Sequence, residues 1–288
     1  MKNRFESRLA ERGFVLLDGA TGTALEGRGV SAPLPLWTGD AAVRAPDVLH
    51  RVHSEYLAAG ADVVTANTFR TSPYTLRRAG YNGDAAALTL DTVGIGRAAC
   101  ATAGRGLVAG SVAPLEDCFH PERTPDDEVL EREHAVHIRN LCDAGVDLLL
   151  VETMNTGREA LVAARLALET ELPVLVSVIL DAANSQRLLS GEEATEILEQ
   201  LGRLEVNGRS VAGLLVNCTP VHVAERALAE NRGTLIGAYP NAGHPRATSP
   251  SEFAAWGRNA LALGARILGG CCGTTPDHIR ALASLRMP

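Results

Sequence analysis

No apolar run in the 288-residue chain approaches the ~20 residues needed to cross a bilayer, and the opening stretch MKNRFESRLAERG is charged and helical in pattern. Neither a membrane anchor nor a secretory leader is expected. Low-complexity stretches, linkers and local repeats are also missing, and aromatic residues are scarce at 4%. With 46% hydrophobic and 21% charged residues, the composition excludes collagen-like, coiled-coil and disordered classes. Basic charge is in deficit: 27 Lys+Arg against 34 Asp+Glu leave a net charge of −7, with no basic stripe. That excludes nucleic acid and anionic membrane surfaces as expected partners. A chain of this length buries about three quarters of its unfolded surface, so its core needs no disulfide staples. The six cysteines are therefore expected as reduced thiols in a cytoplasmic protein, available to a metal or to catalysis.

What recurs instead is a unit of short apolar strand, polar tip, loop and amphipathic helix. Eight strands are expected at Phe14–Asp18, Asp62–Asn67, Gly106–Ser111, Val146–Glu152, Pro173–Leu180, Val211–Asn217, Thr234–Tyr239 and Arg266–Gly269. Their continuous Val/Leu/Ile runs are those of parallel strands buried on both faces. Gly60, Gly145 and Gly264 stand where left-handed residues would end helices. Ser249-Pro250-Ser251-Glu252 reads as an N-terminal capping box, and Thr219-Pro220 and Thr275-Pro276 read as further caps followed by proline. Eight strand–helix units in one domain of this length, residues 1–288, predict an α/β (β/α)₈ or TIM barrel. An open doubly wound sheet lacks its fingerprint here, because the glycines of GATGTALEG (19–27) have the wrong spacing for a dinucleotide turn and no Lys-Ser/Thr pair follows. In a barrel, all carboxyl ends of the strands face one mouth. Those tips are Asp18, Asn67, Ser111, Glu152, Asp181, Cys218, Tyr239 with Asn241, and Cys271 with Cys272. The opposite ends read as apolar or glycine-capped.

Two adjacent cysteines in a regular strand point to opposite faces. Cys271 and Cys272 reach one metal only if the backbone bends, and Gly269, Gly270 and Gly273 supply that freedom. Cys218 stands at another tip of the same mouth. Three thiolates leave a fourth position open, the layout of a catalytic zinc site, and thiolate ligands favour zinc over magnesium, calcium or manganese. A vicinal disulfide or a redox pair is the competing reading of the two neighbours. Cys118, after the third strand, competes for a place among the ligands. Cys100 and Cys142 fall on helices as small buried hydrophobes. His50/His53 and His134/His137 are read as helix-surface or packing residues rather than ligands, and the acidic stretch from Thr124 to Glu133 as a solvated helix start.

The segments LLDGATGTALEGRG, LPLWTGDA, AGADVVTANTF, VETM, LLVNCTP, GAYPNAG and GGCCGTTPDHI, in this order from about Phe14 to Leu285, resemble the homocysteine-binding domain of homocysteine S-methyltransferases. The resemblance implies a zinc-dependent barrel enzyme whose substrates are L-homocysteine and a small methyl donor. It implies Cys218, Cys271 and Cys272 as zinc ligands, Asp18 and Glu152 as holders of the homocysteine ammonium, and amides around Gly19 for its carboxylate. Asn67, Thr68, Phe69, Asn217, Tyr239 and Asn241 fall in matching blocks, as direct contacts or as structural support. Trp37, in the long first loop, either offers its ring to a sulfonium or anchors the rim.

A thiol with a pKa near ~8.5 is mostly protonated at neutral pH, and coordination to zinc makes it a thiolate. A sulfonium donor, S-methylmethionine or S-adenosylmethionine, suits an anionic site and an in-line displacement without a general base. The family's other donors are betaine and methyl-cobalamin. Betaine users carry a tyrosine where this chain has Arg70, and cobalamin would have to come on a separate subunit. Metal-dependent barrel hydrolases would show a His-x-His pair on the first strand, which is missing. A zinc-thiolate redox sensor is the alternative that is not an enzyme. Oligomeric state is not legible.

Overall fold

The continuous apolar runs resolve into two faces. The computed structural model of the chain describes residues 4–243 and 247–286. Eight parallel strands alternate with helices: β1 (Val15–Leu16), β2 (Val63–Thr65), β3 (Leu107–Val112), β4 (Leu148–Met154), β5 (Val174–Val178), β6 (Gly213–Pro220), β7 (Leu235–Asn241) and β8 (Ile267–Leu268). Each matches one expected strand. Around the sheet they run β1-β8-β7-β6-β5-β4-β3-β2, and the parallel pairing of Leu17 with Val63 closes the ring. Leu148 and Leu150 of β4 point into the barrel, while Leu149 and Val151 pack outward against helices. Burial on both faces is why hydropathy in the strands is continuous rather than alternating.

Helix punctuation follows the sequence at most positions. Gly60, Gly145 and Gly264 adopt φ of 115°, 79° and 102°, and Ser249 with Glu252 forms the capping box of the helix Pro250–Ala262. Thr275 caps Pro276–Ala283, with His278 taking the glutamate's part. Thr219 departs from expectation. Its hydroxyl accepts from the Leu180 amide at 3.1 Å and donates to the Asn217 carbonyl at 2.9 Å, and Pro220 ends β6 rather than opening the next helix. A short hairpin, Glu205–Val206 with Arg209–Ser210, precedes β6. Its turn is Asn207-Gly208, both at positive φ, as a two-residue hairpin turn requires.

The amino-terminal end of the barrel is more charged than the sequence suggests. The helix Arg4–Arg12 lies across it and puts Phe5 into the barrel-interior cluster. Asp62, 0% exposed, accepts the Leu16 amide at 3.0 Å and ion pairs from Arg8 and Arg286. Asp147 accepts the Val108 amide at 2.9 Å and an ion pair from Arg4 at 2.7 Å. Asp62 ties Arg8 and Arg286, near both ends of the chain, to the strands where the ring closes, and Asp147 ties Arg4 to β3 and β4. Removing one partner of a buried pair leaves the other charge uncompensated. Asp62→Ala is therefore expected to lower unfolding stability by about 3–5 kcal/mol in a urea titration; a loss below about 1 kcal/mol would show that the clamp is dispensable.

Candidate functional site

At the carboxyl ends of the strands lies a cavity of about 260 Å³. Asp18 and Gly19 after β1, Thr65 and Asn67 at β2, Ser111, Glu152, Cys218, Tyr239, Cys271 and Cys272 all border it, as do Trp37, Phe69 and Arg70. Asp181 does not take part: its carboxylate accepts the Ala183 amide at 2.7 Å in a local turn beyond β5.

Backbone bends assemble the three thiols. Cys218 sits at φ 51°, a left-handed conformation that costs an L residue about 1–2 kcal/mol, and Asn241 Nδ2 holds its carbonyl at 2.8 Å. After β8 the chain turns through glycines at very close quarters. A Cβ at Gly269 would stand 2.8 Å from Leu17 Cβ, and one at Gly270 2.4 Å from Thr274 Oγ1. The Sγ atoms of Cys218, Cys271 and Cys272 consequently lie within 4.8 Å of one another, with Cys218 and Cys272 at 3.9 Å. All six cysteines are free, so Cys271 and Cys272 form no vicinal disulfide. Hydrogen bonds from Cys218 and Cys271 pull the Cys272 thiol down to about 3, and Cys218 is held well above its ordinary range by those it shares with Cys271 and Cys272. The donor set fits zinc, since tetrahedral Zn–S bonds of about 2.3 Å place sulfurs about 3.8 Å apart. Cys118 borders the cavity outside this cluster, and burial pushes its thiol up to about 12.

Two carboxyls face the same space. Asp18, 3% exposed, accepts the Thr65 amide and hydroxyl, each at 2.9 Å. Burial pushes it up to about 8, with Glu152 adding to the rise. Glu152, 8% exposed, accepts from Ser111 Oγ at 2.5 Å and Tyr239 Oη at 3.1 Å, and burial lifts it to about 7. Neither has a cationic partner among the described residues, so the cavity has two carboxyls answered only by neutral donors.

The remaining candidates divide between walls and supports. Asn67 borders the cavity and ties the first loop down, its Nδ2 donating to the Thr38 carbonyl at 2.6 Å. Thr68 is behind the wall, bonding the Ser111 amide and carbonyl at 3.0 and 3.1 Å. Asn217 holds Thr153, itself at φ 60°, through bonds of 3.1 and 2.7 Å. Asn241 acts through the Cys218 carbonyl. Gly19 is on the wall, where a Cβ would meet the Tyr56 ring at 2.7 Å, but the neighbouring Ala20 amide is already taken by Thr274 Oγ1 at 3.1 Å. Thr65 and Thr274 were not singled out from sequence, and their position beside Asp18's strand and inside the glycine-cysteine block was the available signal. Of the paired histidines, His53, His134 and His137 are buried. His137 Nε2 meets the Ser111 carbonyl at 3.0 Å and His134 Nε2 meets Glu159 at 2.9 Å, so they brace the wall from behind.

Trp37, at φ 51°, lies over Gly22 so closely that a Cβ there would be 2.1 Å from its ring. Phe69 meets it edge-on at 6.2 Å. Gly22→Ala, in the helix Thr21–Glu26, is expected to unseat the indole and shift tryptophan emission to the red, although alanine favours the helix by about 0.5–1 kcal/mol. An unchanged spectrum, with Trp37→Phe marking the Trp37 contribution, would refute this seat.

The model of the family described as homocysteine S-methyltransferase matches residues 15–285. Homocysteine S-methyltransferase 1 of Arabidopsis thaliana is 26% identical, over 94% of this chain and 93% of its own length. Homocysteine S-methyltransferase of Escherichia coli K12 is 28% identical over 97% of both chains. The crystal structure of the homocysteine methyltransferase MmuM from Escherichia coli in its metallated form superposes with a TM-score of 0.82, at 29% identity, covering 98% of this chain and 99% of that one. With the barrel, the thiol cluster and a family match over nearly the whole chain in agreement, this protein belongs to the homocysteine S-methyltransferase family.

Proposed function

We propose that the protein transfers a methyl group from a sulfonium donor, S-methylmethionine or S-adenosylmethionine, to the thiol of L-homocysteine, giving methionine. The observation that carries this reading is the convergence of three thiols and two unpaired carboxyls on one cavity. Cys218, Cys271 and Cys272 would hold zinc, which when bound keeps the acceptor sulfur deprotonated at neutral pH. The metallated form of the Escherichia coli relative supports a metal, and the all-thiolate donor set supports zinc.

Asp18 and Glu152 answer the acceptor's ammonium. Thr65 fixes the first carboxylate, and Ser111 with Tyr239 fixes the second, so both are oriented before the ligand arrives. The acceptor sulfur forms its bond to the methyl carbon as the carbon–sulfur bond of the sulfonium breaks, and the donor leaves as a neutral thioether. Trp37 offers a ring face to the sulfonium. Positioning of the two sulfurs in line with the methyl carbon is the main contribution of the walls.

Reduced, zinc-loaded protein is expected to form methionine from L-homocysteine and S-methylmethionine, with turnover abolished by a chelator. Cys218→Ala should release the zinc, read by metal analysis, and cut turnover at least about a thousandfold. A protein that binds no zinc would overturn the mechanism.

The carboxyls impose a pH dependence. Both are raised by burial, so the ligand-free fold favours their protonated forms and loses that stability as pH rises through about 7 and 8. The ammonium pairs with the ionised forms, so the KM for homocysteine is expected to fall as pH rises from 6 to 8.5. Glu152→Gln should raise this KM by about 10- to 100-fold and remove the part of the pH profile near 7, leaving the part near 8 that belongs to Asp18. A profile unchanged by Glu152→Gln would remove this residue from acceptor binding.

A further inference from the structure

Arg70 is a buried cation that the acceptor side of the reaction does not use. It follows Phe69 at the tip of β2, is 5% exposed and borders the cavity. Nη1 donates to the carbonyls of Pro114 and Glu116 at 3.3 and 2.8 Å, while Nε is buried without a partner. No carboxylate pairs with it among the described residues, because the neighbouring acids are otherwise engaged. Glu116 takes Arg78 and the Tyr74 hydroxyl, Asp117 takes the Phe119 amide, and Glu159 takes His134 and the Leu115 amide. Its guanidinium carbon lies 5.0 Å from the centre of the Phe69 ring, whose edge meets Trp37. One wall thus runs from an indole through a phenyl ring to a guanidinium.

A buried guanidinium answered by carbonyls and a ring, with no anion, is costly and has capacity for one, and a fork of N–H donors suits a carboxylate. We propose that Arg70 determines donor specificity by binding the α-carboxylate of an amino-acid sulfonium, with the sulfonium carried along the Phe69–Trp37 wall towards the three thiols. The proposal rests on the methyl-transfer reading above and deepens it. It selects donors with a carboxylate over those without one.

The test compares S-methylmethionine with its carboxamide on zinc-loaded wild type, Arg70→Gln and Arg70→Lys. Donor binding is read by calorimetry without homocysteine, and KM for each substrate is read in turnover. The wild type is expected to bind the carboxylate donor at least 10-fold more tightly than the carboxamide. Arg70→Gln should erase that ratio and raise donor KM about 10- to 100-fold, leaving homocysteine KM within about threefold, and Arg70→Lys should keep part of the preference. Each ratio is taken within one variant, so a partly folded sample does not mimic the effect. A ratio unchanged in Arg70→Gln, or a rise confined to homocysteine KM, would overturn the proposal while leaving methyl transfer intact. A wild type that binds the carboxylate donor in the calorimeter but methylates no homocysteine would instead overturn the functional reading.

Discussion

An ionised group inside a closed barrel must be met by an opposite charge, by hydrogen-bond donors or acceptors, or by a change of protonation. The two ends of this barrel meet that demand in opposite ways. At the amino-terminal end, Asp62 and Asp147 are paired with Arg8, Arg286 and Arg4, so charge there fastens both end segments of the chain to the strands. At the carboxyl end, Asp18 and Glu152 are met by hydroxyls and an amide, and Arg70 by carbonyls. Charge at one end serves the fold, and at the other it has no opposite charge among the described residues. A zwitterionic amino acid has one group of each sign and can satisfy both kinds of site.

The same division holds for backbone strain. Among the described residues, four that are not glycine have positive φ: Trp37, Thr153, Asn207 and Cys218. Asn207 serves its hairpin turn, and the other three border the cavity. Each of these three is held by contacts from within the chain. Asn217 brackets Thr153, Asn241 restrains the Cys218 carbonyl, and Gly22 receives the Trp37 ring. Strain fixed by its surroundings is what preorganises a site, and here it aims one thiol at two others that a regular strand would have separated.

This division also explains what was legible in the sequence. Strand runs, helix caps at Gly60 and Ser249, and the cysteine block could be read because each depends on local chemistry: hydropathy period, φ preference, or adjacency of glycine and thiol. Asp181 follows its apolar run in the sequence much as Glu152 ends its own, yet β5 stops at Val178 and a local turn takes the Asp181 carboxylate. Asn217, Thr68 and Asn241 look like pocket residues in a linear pattern, and only the third dimension puts them one layer behind the wall. Asp62 and Asp147 were invisible as clamps because their partners come from 54 to 224 residues away for Asp62, and 143 for Asp147. The Asn207-Gly208 turn has a local signature of its own, but it is overshadowed by the strong apolar run that begins at Val211.

The charge economy of the cavity bears on rate as well as binding. In the proposed reaction an electron-rich thiolate meets a sulfonium cation, and both charges diminish together as the methyl group moves. Water stabilises separated charges more than the dispersed transition state between them. A largely apolar cavity of about 260 Å³ withholds part of that stabilisation from the reactants, provided that fixed groups bind their other ends. Asp18, Glu152 and Arg70 can do so without lying on the reacting axis. The products are two neutral thioethers. Neither has the sulfur charge that favoured entry, so the part of the attraction centred on sulfur, which gathers the substrates, does not hold the products.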